Sequence, residues 1–427
     1  MRPESNKFDK LNIVDWIGVV FCIFFMSGST SSSFLYYALV LYGVWLIYFL
    51  VKTPYLLLGM LLERKNLLLI WFLLFSTING MITAPLDFTA KQLFSGCMMF
   101  SPILFANYYL RFSSPVKLKK IIMIILAGWI FFSVRAIIFY INHPGSARIL
   151  ASDKLAYGTI AIGGDYSLAY GSAILACAAM SLLLEHRLGR PSKYVFWIAM
   201  TILCLAVVFY TESTVTFVAM IVGVLLTLFF RGDDQVLYQR LTKRTIGKLV
   251  IVVVILAVLV IMSQLIGRLV ISVAENQTSG QFRERLMSLA GFLMGNKEEG
   301  AYTVNRYEIP LKSLGTFIRN PLFGVSYQHG NNFLKASDFG IGSHCEWADA
   351  LANYGLIGGI PFLLIYFFHI KEVLQTPNRL AKGWIVCFII MGMFNPFRSF
   401  QSHLILFFVL PAICCLEEYR QSRLLIL

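Results

Sequence analysis

Charge is what this sequence most lacks. Of its 427 residues 14% are Asp, Glu, Lys or Arg, against 58% hydrophobic residues and a mean hydropathy of +0.72. That balance excludes the water-soluble classes and makes lipid the solvent. The shortage is complete in the runs 34–51, 66–82, 194–210 and 249–267, which contain no charged residue, while Asp15 and Glu212 stand near the ends of other runs. Ion-coupled carriers place several carboxylates or histidines near mid-span, so their scarcity argues against a proton-coupled carrier. A clear internal repeat is also lacking, and the Gly358-Gly359-Ile360-Pro361 break is the one good candidate for a broken helix, which weakens the case for an inverted-repeat transporter or flippase. Cysteines are few where they could crosslink: seven of the eight fall inside apolar runs as small apolar residues, and Cys345 alone is expected at an outer surface. Neither a disulfide framework nor a metal cluster is expected from that spacing, and no cofactor is called for. The first apolar run lacks a small-residue cleavage site of the secretory type and is read as a retained helix.

What is present is apolar length. A helical span needs roughly 20 mainly apolar residues, and such stretches recur near 12–28, 34–51, 66–82, 93–110, 118–141, 166–184, 194–210, 213–230, 249–271, 346–368, 383–398 and 403–417. They predict an all-α, polytopic transmembrane helix bundle of about twelve spans, with residues 1–427 forming one integral membrane domain. Lys and Arg accumulate in short cytoplasmic loops. With the N-terminus inside, alternate segments hold 23 of the 36 basic residues, among them Arg64, Lys65, Arg111, Lys117 and Lys371. Both termini are therefore expected in the cytoplasm. The net charge of +14 is mostly this topological bias, which removes the case for a nucleic-acid partner.

The basic residues on the other side are more informative, because the orientation rule does not require them there. An outer loop at 272–345 is far longer than an ordinary connection. It carries two helical patterns, Phe282, Leu286, Leu289 and Leu293, then Tyr307, Leu311, Leu314 and Ile318, each spaced to line one face. Both suit helices lying on the membrane surface. Arg283, Arg285, Arg306 and Arg319 lie in this loop, with Arg135, Arg148 and Arg398 at neighbouring outer ends. Guanidinium groups bind phosphate oxygens through paired hydrogen bonds and stay charged at any physiological pH, so this group is a candidate diphosphate clamp. A solvated or headgroup-binding loop, with Glu308 pairing Arg306, is the simpler alternative.

Gly342-Ser343-His344-Cys345-Glu346-Trp347 leads into the tenth span. On a helix His344, Ala348, Ala352, Gly355 and Gly359 form one stripe, whose small residues favour close packing. Glu346, Asp349 and Asn353 form a second, polar stripe. Two polar faces at one helix mouth point to a water-filled cavity opening outwards. A histidine there can take a proton from an attacking hydroxyl. It can equally serve as a hydrogen-bonded rim residue.

The order Arg306-Tyr307-Glu308, Asn320-Pro321-Leu322-Phe323-Gly324, then His344 followed by Gly355-Leu356-Ile357-Gly358, resembles the bacterial O-antigen polymerase and O-antigen ligase superfamily. Gly163-Gly164-Asp165-Tyr166 through Tyr170 and Ala173 resembles its counterpart at the mouth of a middle span, and the likeness covers about residues 150–415. The resemblance implies a metal-independent, inverting glycosyltransferase of the C-type membrane fold (GT-C-like), facing outward from the bacterial cytoplasmic membrane. It implies a glycan donor on undecaprenyl diphosphate, with His344 as the base and Arg306 on the diphosphate. Membrane lipid, a chain-length regulator and a flippase are the partners it implies. The family often has a Ser-Arg pair where this chain reads Thr211-Glu212-Ser213-Thr214, leaving Arg135, Arg148 or Arg398 to replace that arginine. A polymerase acting on lipid-linked repeat units is favoured over a ligase acting on a lipid A core, because ligases commonly have His-Asn where His344-Cys345 stands.

Overall fold

The computed structural model describes residues 10–26, 32–83, 86–143, 145–147, 150, 166–184, 191–229, 263–276, 283–284, 286–287, 290–291, 294, 301–325, 340–342, 344–375, 381–395, 397 and 399–424. Every regular element among them is helical. In hydrocarbon no water is available to backbone amides and carbonyls, so a chain this apolar satisfies them within helices. The first half holds α1 (Ile13–Met26), α2 (Ser32–Lys52), α3 (Pro54–Leu61), α4 (Arg64–Thr83), α5 (Leu86–Phe112), α6 (Pro115–Asn142) and α7 (Tyr166–Leu184). The second half holds α8 (Pro191–Tyr210), α9 (Thr214–Phe229), α10 (Ser263–Glu275), α11 (Ala301–Arg319), α12 (Glu346–Tyr354), α13 (Ile360–Gln375), α14 (Ala381–Phe394), α15 (Phe400–His403) and α16 (Leu410–Leu424). Wider π-turns at Gly355–Gly359 and Leu404–Val409 join α12 to α13 and α15 to α16.

Five described helical stretches are long and apolar enough to cross a membrane: Pro115–Asn142, Tyr166–Leu184, Pro191–Tyr210, Glu346–Leu374 and Phe400–Glu417. A sixth is the α2–α3 pair, which is bent by 116°. The span predicted over 34–51 lies within α2, and the bend falls just beyond it, at Thr53. The bend follows from Pro54, which starts α3 and pushes Thr53 out of the helical region, to φ −145°. Residues 230–262 lie outside the described residues, so the predicted span at 249–271 is seen only from Ser263, where α10 begins.

Burial separates the spans into inner and outer. In α7 and in Phe400–Glu417, 78% of the apolar window is buried, against 33% in α8 and 44% in α6. The small side chains of α7 explain its place. Ala169, Ala173, Ala176 and Ala179 are fully buried, and Gly171 leaves room for the Trp129 ring of α6. Elsewhere in the bundle the aromatic side chains pack tilted or edge to face, for example Trp45 tilted on Phe105 at 4.6 Å and Trp347 edge to face with Phe388 at 5.5 Å.

At one end of the bundle Asp15 and Lys117 form a buried pair, Nζ to Oδ2 2.7 Å, joining α1 to α6. Asn12 and Asp15 also cap α1 reciprocally, each side-chain oxygen accepting from the other's backbone N–H. Cysteines 22, 177, 204, 387 and 414 are buried within helices, as their apolar surroundings predict. Cys345 is buried too. The outer-surface position expected from sequence is thus corrected, because α11 covers this segment.

Candidate active site

α11 and α12 meet along a polar seam. The Ser313 hydroxyl donates to Asp349 Oδ1 and accepts from Gly342 N–H at 2.9 Å, and Asp349 Oδ2 accepts from Cys345 N–H at 3.0 Å. Thr316 on the next turn of α11 donates to the Gly340 carbonyl at 2.7 Å. Gly340, Gly342 and Cys345 are therefore tied to the seam on both sides of half-buried His344. Cys345 caps α12, and its carbonyl accepts from Asp349 N–H at 2.7 Å. A carboxylate one turn into the helix thus closes the N-terminus reciprocally. Burial, reinforced by the nearby Asp349 charge, pushes the Cys345 thiol above its ordinary pKa.

A second junction lies about two turns further on. Asn320-Pro321-Leu322-Phe323-Gly324 docks on the π-turn at Gly355–Gly359. Leu356 N–H donates to the Pro321 carbonyl at 2.7 Å, Ile357 N–H to Leu322 at 3.2 Å, and Val325 N–H to Ala352 at 3.0 Å. The Ile357 carbonyl accepts from the Trp71 indole at 3.0 Å. Gly355, at φ +59°, is in the left-handed region, and an added Cβ would strike the Leu322 carbonyl. Gly324, at φ +68°, would likewise strike the backbone of Asn353. Glycine is required at both places for conformation and for close approach.

These contacts locate the residues singled out from sequence. Ala348, Ala352, Gly355 and Gly359 are buried along the small-residue stripe. Glu346 and Asp349 are also buried, at 1% and 4% exposure, and Asn353 is half-buried with its amide on the Asp349 carbonyl. The polar stripe expected to line an open, water-filled mouth is therefore a packed seam, since Asp349 is committed to Ser313 and Cys345. Arg306 lies on α11 less than one turn before Ile309, whose backbone packs against Gly342. The helix that carries Arg306 thus passes directly beside the His344 segment, while the Arg306 side chain lies outside the described residues.

Of the other candidate arginines, Arg135, Arg283 and Arg319 lie among the described residues. Arg319 is exposed at the far end of α11, thirteen residues and roughly 20 Å along the helix from Arg306. Arg135 is half-buried on α6, whose principal neighbours are α1, α8 and α16. Arg283 is exposed, and Arg148, Arg285 and Arg398 lie outside the described residues. In the segment that departs from the family pattern, Glu212 turns the chain between α8 and α9 at φ +54°, and Ser213 bonds Thr216 at 2.7 Å.

Ser313, Thr316 and Trp71 were not singled out from sequence. The signal was present on α11. Leu311, Leu314 and Ile318 are exposed at 58%, 38% and 73%, so the apolar face is the outward one and Ser313 and Thr316 hold the bundle. That agrees with a helix whose apolar side meets lipid and whose polar side meets protein.

Residues 199–363 match the O-antigen ligase family. The match runs from α8 to the start of α13 and includes α11, the His344 segment and both junctions. It supports the resemblance to the O-antigen polymerase and ligase superfamily over the part of the chain that carries the seam. No curated protein matches the chain.

Proposed function

We propose that this protein is a membrane glycosyltransferase that moves a glycan from undecaprenyl diphosphate onto an acceptor hydroxyl at the outer face of the cytoplasmic membrane. The observation that carries the proposal is the seam. Within the O-antigen ligase family match, Ser313 and Asp349 hold the His344 segment against the helix that bears Arg306. In this scheme the acceptor oxygen attacks the anomeric carbon as the carbon–oxygen bond to the diphosphate breaks, with inversion. His344 takes the hydroxyl proton, and the lipid diphosphate leaves with the bonding electron pair, its negative charge met by Arg306. Positioning provides much of the rate, since the leaving group is already activated. The outward orientation follows from the basic residues. Arg64, Lys65, Arg111 and Lys371, all in segments assigned to the cytoplasm, lie together around one cavity. Lys371 and His344 stand at opposite ends of the Glu346–Leu374 span. The twelve-span count and the GT-C relationship belong to the same proposal.

The acceptor we propose is a second lipid-linked repeat unit, making the enzyme a surface-polysaccharide polymerase, on the ground of Cys345 after His344. The ligase alternative, with a lipid A core as acceptor, is favoured by the description of the matching family. Purified protein is incubated with lipid-linked repeat unit in the absence of added metal, and longer lipid-linked product is expected. No elongation with a verified substrate, together with transfer to lipid A core, would replace the polymerase by the ligase. No transfer to either acceptor would reject both. Deletion in cells separates them as well: a polymerase loss leaves single-repeat surface glycan, a ligase loss leaves full-length glycan on undecaprenyl diphosphate.

A further inference from the structure

At the end of the bundle remote from His344, α4, α5 and α13 enclose a cavity of about 350 Å³. Its wall carries four cationic side chains, Arg64, Lys65, Arg111 and Lys371, and two carboxylates, Glu63 and Glu372. The carboxylates are already engaged. Lys65 Nζ lies 2.5 Å from Glu372, and Arg111 pairs with Glu63. The Arg64 guanidinium stands over the Phe368 ring, 4.7 Å from its centre, and Lys371 is exposed. Two positive charges are thus in excess at a cavity beside the first turn of α4.

A topological bias toward basic loops explains why these residues are on this side, but not why segments more than 250 residues apart bring them to one cavity. Mutual repulsion would spread them over the surface unless an anion sits among them. Basic pockets between membrane helices are suited to phosphate-bearing headgroups, and the arginine fork matches phosphate oxygens. The aromatic floor at Phe368 suits a group with an apolar continuation.

We propose that this cavity is a second, non-catalytic anion site that takes a phosphate group at the membrane face opposite His344. The phosphate could come from the headgroup of an anionic lipid in that leaflet or from a soluble phosphate. The full chain and its Arg64→Gln/Lys371→Gln variant are purified in detergent, exchanged into phosphatidylcholine nanodiscs with or without phosphatidylglycerol, and scored for retained phosphatidylglycerol by native mass spectrometry. In parallel, inorganic phosphate is titrated against both proteins in detergent and thermal unfolding is followed. Binding roughly 30-fold weaker in the variant is expected from the loss of two charges at a membrane surface. Charge-dependent retention of phosphatidylglycerol assigns the lipid headgroup, and a response to inorganic phosphate alone assigns a soluble anion. Equal behaviour of the two proteins toward both probes overturns the proposal. The Arg64→Lys/Lys371→Arg variant keeps charge and separates it from packing: if it loses binding as fully as the neutral variant, the charge argument fails. Since binding is the readout, the result is independent of whether the protein transfers glycan.

Discussion

At one end of the Glu346–Leu374 span the polar groups are short, buried and committed: Ser313, Asp349 and backbone amides bond one another with little exposure. At the other end they are long and half in water, with Arg111 58% and Glu372 55% exposed in their ion pairs. The first arrangement fixes geometry, because each buried donor or acceptor that loses its partner costs its full desolvation. The second fixes little, because exposed pairs are screened and their side chains remain free to move, which suits a site that admits a ligand. One helix thus ends in a scaffold on one side and in an adaptable charge cluster on the other.

Three substitutions test this contrast, and a fourth sets beside it the buried Asp15–Lys117 pair between α1 and α6. His344→Gln is expected to have the largest effect, slowing glycan elongation by about 10²–10⁴-fold, as for loss of a general base, with the unfolding temperature almost unchanged. Elongation at the normal rate would remove the centre of the proposed mechanism. Asp15→Ala comes next. It strands Lys117 in a buried position and is expected to cost about 3–5 kcal/mol, whereas Asp15→Ala combined with Lys117→Met recovers much of the loss. Unfolding of the three proteins in a fixed detergent measures both outcomes.

Asp349→Ala leaves the Ser313 hydroxyl and the Cys345 amide without their acceptor, at an expected cost of about 1–3 kcal/mol, and loosens the His344 segment. Thiol labelling reads this directly in protein whose other seven cysteines are replaced. The raised pKa keeps the buried Cys345 thiol protonated, so maleimide labelling should be slow near neutral pH and accelerate as pH rises. In Asp349→Ala the rate at neutral pH should rise, and an unchanged rate would mean that the seam does not shield this segment. Lys65→Gln should have the smallest effect, within about 1 kcal/mol, because its partner Glu372 is half exposed. A larger loss would show that the remote end is a scaffold as well.

Much of the helix placement was legible because hydrocarbon imposes a single solution on the backbone, so apolar length alone locates the helices. The stripe of Ala348, Ala352, Gly355 and Gly359 was legible for a related reason: only small residues permit such close packing. Lys52 and the Thr53-Pro54 step mark the end of the span at 34–51, but hydropathy does not show that the chain turns there by 116° into a second apolar helix. The seam was harder still. The spacing of Glu346, Asp349 and Asn353 shows that they share a face but not whether water or a helix covers it. The covering helix is drawn from a segment more than 30 residues earlier. The separation of two of the arginines was not legible either: sequence shows that Arg306 and Arg319 share a loop, and only the helix that carries both puts thirteen residues of rise between them.

The two junctions between α11 and α12 also act together as a ruler. Ser313 and Pro321 are eight residues apart, and their partners Asp349 and Leu356 are seven apart, with helix filling most of each interval, to Arg319 and to Tyr354. The Pro321 and Leu322 contacts use backbone atoms, so side-chain changes there leave the measured length intact. Deleting one residue between Ser313 and Asn320 does not: it rotates one mark by about 100° against the other. Both cannot then be read at once. Along this stretch the protein should tolerate many spellings, but only one length.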